Sequence, residues 1–226
     1  MKLPRYSAVQ LLVTLGLLFS AAPFIDDLPQ GDLIEALLMT LVMVFAVVVV
    51  GGRRKVLLVA FVLLLVALAG KWTNHLRPDL LHPAVYLSTT VIFFTFVIAQ
   101  LVAFVVRAPR VDANVLCAGV SGFLMLGLVW MVAYLTLARV NQAAFSLPSS
   151  PGAPGALDGF SAFYFSFITL CTVGYGDITP VSKAARMLAV LEAITGLFYM
   201  AVLISRLVSL YSSARPPAAA DLQDKT

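Results

Sequence analysis

Charge is scarce in this chain. Asp, Glu, Lys and Arg together make up 12% of its 226 residues, while 61% are hydrophobic. A soluble domain carries about a quarter charged residues, and a chain this poor in them has no means of screening its apolar side chains from water. The composition therefore argues against a water-soluble domain and points to lipid as the solvent. Histidine and cysteine are nearly absent as well. His75 and His82 share one loop, and Cys117 and Cys171 lie in apolar stretches as small hydrophobes. No metal-ligand spacing and no Ser/His pair at membrane depth can be built from them, so neither an intramembrane enzyme nor a cofactor is expected. The net charge of +4 comes from short basic clusters between apolar runs. There is no basic stripe interleaved with aromatics, and nucleic acid is not an expected partner.

What is abundant is long apolar runs. About 20 residues are needed to cross a bilayer as a helix, and six passes are read: Tyr6 to Ile25, Leu33 to Val50, Val56 to Gly70, Ala84 to Val106, Ala113 to Leu137 and Ser182 to Tyr211. The third is the shortest, with Lys71 and Trp72 as interface anchors at its tail. Pro23, Pro29, Gly31, the Gly51-Gly52 pair, Pro78, Pro83 and Pro109 punctuate the breaks, and Asp112 is placed to cap the fifth helix. With both termini cytoplasmic, ten Lys and Arg fall inside and five outside, the sense of the positive-inside rule. A rival reading takes Lys2, Arg5, the apolar run to Phe19 and Ser20-Ala21-Ala22 as a secretory signal. The later topology is the same either way.

Between the fifth and sixth passes the pattern changes. Asn141 to Gly159 is rich in Pro, Gly, Ser and Ala and reads as an irregular loop. Phe160 to Leu170 is apolar but only 11 residues long, which suits a helix that enters the membrane without crossing. It runs into Cys171-Thr172-Val173-Gly174-Tyr175-Gly176-Asp177, which occurs once. Irregular backbone at membrane depth is tolerated only where it is buried in protein or lines a watery cavity. A cation crossing a bilayer must shed its water, and backbone carbonyls replace it if successive ones point at one axis. That requires alternating backbone handedness, which Gly174 and Gly176 supply between Val173 and Tyr175. Four copies around an axis would stack rings of oxygen.

Thr172 to Asp177 reads T-V-G-Y-G-D, which resembles the signature of the tetrameric potassium-channel family, whose carbonyl-lined filter is built on this sequence. The resemblance runs from Ala113 to Tyr211 and implies an outer helix, a pore helix, a filter and an inner helix. It implies potassium as the permeant ion, held by the carbonyls of Thr172, Val173, Gly174 and Tyr175 and by the Thr172 hydroxyl, with Gly176 completing the strand. It implies a homotetramer, since one chain supplies one filter segment. It makes Tyr175 a lateral brace against pore-helix aromatics, with Phe163, Tyr164 and Phe167 as candidates. Asp177 would ring the outer mouth and concentrate cations. Gly196 stands where the family has its hinge glycine, and from that match Leu197, Met200, Ile204 and Val208 would face the pore and form an apolar gate. The family's acidic residue behind the filter is replaced by Ile168.

Ala185, Ala189, Ala193 and Gly196 form a small-residue face suited to close helix packing. Glu192, in mid-membrane, calls for a partner, because an intramembrane carboxylate is expensive and usually functional. The fourth pass holds no Lys or Arg, and the third has no acidic partner for one, so arginine-based voltage sensing is not expected. The expectation is an all-α membrane protein of six transmembrane helices plus a re-entrant pore helix and filter, tetrameric. Residues 1–110 would form a non-voltage-sensing four-helix domain, 111–211 the pore domain and 212–226 a cytoplasmic tail. Membrane lipids are expected partners, with Arg53, Arg54 and Lys55 near anionic headgroups. A non-conducting accessory subunit is the alternative, to be distinguished by a damaged filter or an attached cytoplasmic module.

Overall fold

The computed structural model describes residues 7–25, 30–50, 54–77, 83–110, 112–147 and 157–213. Lys2 and Arg5 of the signal-like start, Arg53, His82, the loop at 148–156 and the tail beyond 213 lie outside the described residues.

The regular elements of the described chain are helices apart from one bridge of two residues per strand. The helices are α1 (Ser7–Ile25), α2 (Gly31–Val50), α3 (Arg54–Leu76), α4 (Pro83–Arg107), α5 (Ala113–Val140), α6 (Gly159–Leu170) and α7 (Lys183–Ser213). Five of them, α2 to α5 and α7, are long and apolar enough to cross a membrane. In α1 the apolar stretch is shorter, Ala8–Phe24. Its Leu11 and Leu15 are nonetheless fully buried in the common core, which supports reading this run as a helix of the bundle.

Helix α3 departs from expectation. It extends well past Gly70, to Leu76, because Lys71 and Trp72 are not left to the interface. Lys71 Nζ lies 3.5 Å from Glu35 Oε1, and Trp72 Nε1 donates to Thr40 Oγ1 at 3.3 Å. Both bonds dock the end of α3 on α2.

The first four helices are joined to the rest along two lines. Helix α4 lies along α5, and α1 packs against both α2 and α5. Asp112 caps α5 as expected, accepting from Val115 N at 2.8 Å. Helix α6 is capped by Asp158, which accepts from Ser161 N at 2.7 Å, and α7 opens with Ser182 Oγ accepting from Ala185 N at 3.1 Å. Each cap satisfies an amide that the first helical turn leaves without a partner.

One element has no precedent in the hydropathy pattern. Strand β1 (Phe145–Ser146) pairs antiparallel with β2 (Thr179–Pro180), Phe145 opposite Pro180. Ala144 O also accepts from Val181 N and Ser182 N. This bridge ties the segment after α5 to the segment between Asp177 and α7. Two residues per strand are too few to show alternation.

Candidate functional site

Helix α6 ends at Leu170, and the chain reverses at once. Thr172 N donates to Thr169 O at 2.9 Å. Val173 N and Gly174 N both donate to Ile168 O, at 2.8 and 3.2 Å. The first amides of the strand are thus folded back onto the carbonyls that end the helix, which would otherwise be unsatisfied. Among the described residues no hydrogen bond is donated to the carbonyls of Thr172, Val173, Gly174 or Tyr175. The whole stretch from Cys171 to Asp177 is exposed in the single chain.

The expected change of hand is present and starts two residues early, at Thr172. Gly174 and Gly176 have φ of +57° and +85°, and Thr172 also has φ of +57°. A left-handed β-branched residue is an outlier that surrounding structure must impose. The sequence signals the two glycines but not this threonine, since nothing about a threonine advertises positive φ. The left-handed residues alternate with Val173 and Tyr175 over five positions.

Tyr175 does not form the expected brace within one chain. It is 73% exposed, and Phe163 and Phe167 are engaged elsewhere. Both take Phe19 of α1 edge-on, with ring centroids 4.8 Å apart in each pair. Such edge contacts add about 0.5–1.5 kcal/mol each beyond burial. Tyr164 instead has its hydroxyl toward Asp177, and that hydroxyl is the main influence holding the Asp177 carboxyl below the usual carboxylate range. Asp177 also accepts from Ile178 N at 3.0 Å. Both influences favour the ionised carboxylate at Asp177.

Behind α6 lies the group that hydropathy marks as anomalous. Glu192 on α7 is fully buried. Its Oε1 lies 2.5 Å from Ser166 Oγ on α6, and its Oε2 accepts from the Tyr134 hydroxyl on α5. Ser166 Oγ also reaches Gly127 O on α5, at 2.8 Å. Three helices meet at one carboxyl, two residues before the Ile168 carbonyl that gathers the strand amides. Trp130 Nε1 to Thr195 Oγ1, 3.2 Å, and Tyr199 hydroxyl to Gly119 O, 2.7 Å, fasten α5 to α7 at successive levels toward the C-terminal end of α7. Sequence reasoning found Glu192 and missed its partners. Ser166, a hydroxyl in the middle of an apolar 12-residue helix, was the available signal.

Gly196 sits where α7 comes closest to α6. A Cβ there would lie 2.5 Å from Leu170 O, a contact no side chain tolerates, so absence of a side chain lets the helices touch. Leu197, Met200, Ile204 and Val208 are 60%, 39%, 53% and 59% exposed in the single chain. None of them packs into the chain's own core.

The order along the chain is a long helix, a short helix, an amide-anchored strand of alternating hand and a second long helix. Residues 129–213 match the family model described as ion channel, and the chain is similar over part of its length to several potassium channels. The chain is 35% identical over 85 residues to two pore potassium channel c of Oryza sativa, covering 36% of this chain and 18% of that protein. It is 32% identical over 103 residues to two-pore potassium channel 4 of Arabidopsis thaliana, covering 46% and 36%. It is 32% identical over 80 residues to a hyperpolarization-activated voltage-gated potassium channel of Methanocaldococcus jannaschii, covering 35% and 37%. The chain thus spans between about a sixth and two fifths of the length of these relatives. No solved structure matches it.

Proposed function

We propose that four copies of this chain form a potassium-selective channel, with the carbonyls of Thr172, Val173, Gly174 and Tyr175 as stacked ion ligands and the Thr172 hydroxyl beneath them. The observation that carries this reading is the alternation of hand from Thr172 to Gly176, directly after a helix whose Ile168 carbonyl takes two strand amides. Amides committed to the helix leave the carbonyls free for a cation. Tetramer formation is supported by α7. Only 11% of its span is buried within the chain, against 56% of α5, so an inner helix with so little cover is available to other copies. Leu197, Met200, Ile204 and Val208 would line the pore below the filter, Gly196 would serve as hinge, and Asp177 would ring the mouth. The chain would cross the membrane six times with both termini cytoplasmic.

In liposomes containing the purified protein, potassium is expected to pass, sodium not, and barium to block. Equal sodium and potassium flux would remove selectivity from the reading. Steady-state conductance is also expected to be nearly flat between strongly negative and strongly positive potentials. Each elementary charge moved through the field supplies about 2.3 kcal/mol per 100 mV, and α4 carries no Lys or Arg before Arg107 at its end. A bilayer recording in which open probability rises steeply with voltage would show that gating charge lies elsewhere.

A further inference from the structure

We propose that the groove between α4, α5 and α7 binds an anionic phospholipid, one acyl chain lying in the groove and the phosphate held by Arg206. The groove has a volume of about 300 Å³, and its lining includes Val102, Val106, Leu126, Phe198, Val202 and Leu203. Phe198 and Val202 are 68% and 49% exposed in the single chain, so the chain itself leaves this groove uncovered. At membrane depth such a groove meets hydrocarbon, not water.

One end of the groove is not apolar. Arg206 stands one helical turn beyond Val202 and Leu203 on α7. Its Nη2 donates to Ala108 O at 2.9 Å, just past the end of α4. The guanidinium therefore spans the two walls at the end remote from the filter. Its Nε is buried and has no acceptor among the described residues. A buried guanidinium N–H without an acceptor is costly, and a phosphate oxygen is the acceptor a guanidinium fork fits best. Arg107 and Arg110 flank Ala108 in the chain and add positive charge to the same end. The nearest acid in sequence, Asp112, is committed to capping α5 through Val115 N. An occupant must therefore be apolar along most of its length and anionic at one end, at the depth where the apolar helices give way to basic residues. A phospholipid with net negative charge meets those conditions, and a zwitterionic one offsets its phosphate with its own cation.

The test uses the full chain in neutral detergent with dioleoylphosphatidylglycerol or dioleoylphosphatidylcholine, read by native mass spectrometry. The anionic lipid is expected to be retained about tenfold more tightly than the zwitterionic one. Arg206→Gln should bring the two lipids level. Val202→Trp, at an exposed position, fills the groove while leaving the guanidinium, and should release the anionic lipid without unfolding the protein. Glycerol phosphate, which has no acyl chain, should not compete. Equal retention of both lipids by the unaltered chain, or unchanged preference in a folded Val202→Trp or Arg206→Gln protein, would overturn the proposal. So would Val202→Trp breaking the oligomer with no preferential lipid retention, which would make the groove an interface between copies.

Discussion

Alanine at Gly174 or Gly176 is expected to abolish potassium flux while leaving the assembled protein in the membrane. The reason is backbone geometry and not space. A Cβ built on either glycine meets nothing within 4 Å in the single chain, but the residues have φ of +57° and +85°. Holding an L-residue left-handed costs about 1–2 kcal/mol. Across the four copies of the proposed pore the strain sums to about 4–8 kcal/mol, or about three or more decades in the population of an intact filter. The chain escapes by rotating to negative φ, which turns a carbonyl away from its neighbours. Gly159→Ala is the matching control. Gly159 also has open space around its would-be Cβ and no positive φ, so flux should be unaffected there. Liposome flux of Gly174→Ala at the unaltered rate would remove the filter assignment.

The second large effect is expected at Glu192, and it depends on the kind of substitution. Three contacts meet there: Tyr134 to Glu192, Ser166 to Glu192, and Ser166 to Gly127 O. The two hydroxyls own one proton each, so they cannot satisfy all three. A neutral carboxyl supplies the missing proton by donating to Ser166 Oγ, which frees the serine proton for Gly127 O. Glutamine reproduces that pattern, since its amide donates to Ser166 and its carbonyl accepts from Tyr134. Leucine leaves the Tyr134 hydroxyl without an acceptor in a dry site, at about 1–3 kcal/mol, and removes the group that links Ser166 to α7, although Ser166 still donates to Gly127 O. Glu192→Gln should therefore unfold thermally close to the unaltered protein and keep its potassium-to-sodium ratio. Glu192→Leu should melt markedly lower and lose selectivity, because α7 is no longer tied to Ser166 of α6 and Tyr134 of α5. If glutamine proves as damaging as leucine, the network requires a charged carboxylate and the proton count above is wrong.

The helices were legible because each needs only length and apolarity, and the ends moved little where a cap was visible, as at Asp112. The bounds slipped at α3, where Lys71 and Trp72 look like a helix end until Glu35 and Thr40 on another helix are known. Pairings between distant residues leave no local trace, so neither those bonds nor the β1–β2 bridge was foreseeable. The same holds at the site. Gly174 and Gly176 announce their backbone by being glycine, and Glu192 announces itself by its cost. Tyr134 and Ser166 are ordinary residues until the fold brings them to that carboxyl. Phe163 and Phe167 were assigned to Tyr175 because the resemblance pairs pore-helix aromatics with the filter tyrosine. In the structure their partner comes from the opposite end of the sequence.

That partner, Phe19, has a consequence for modularity. An ion pore of two helices and a loop is easily pictured as a self-sufficient cassette to which other segments are appended. Here a ring from the first helix is wedged between two rings of the helix that carries the filter, so the boundary between accessory and conducting parts runs through an aromatic cluster rather than around it. Cutting the chain before α5 would bare Phe163 and Phe167. In the proposed pore the leading helices would in this sense be masonry rather than annex, since a ring of α1 rests directly on the helix that precedes Thr172.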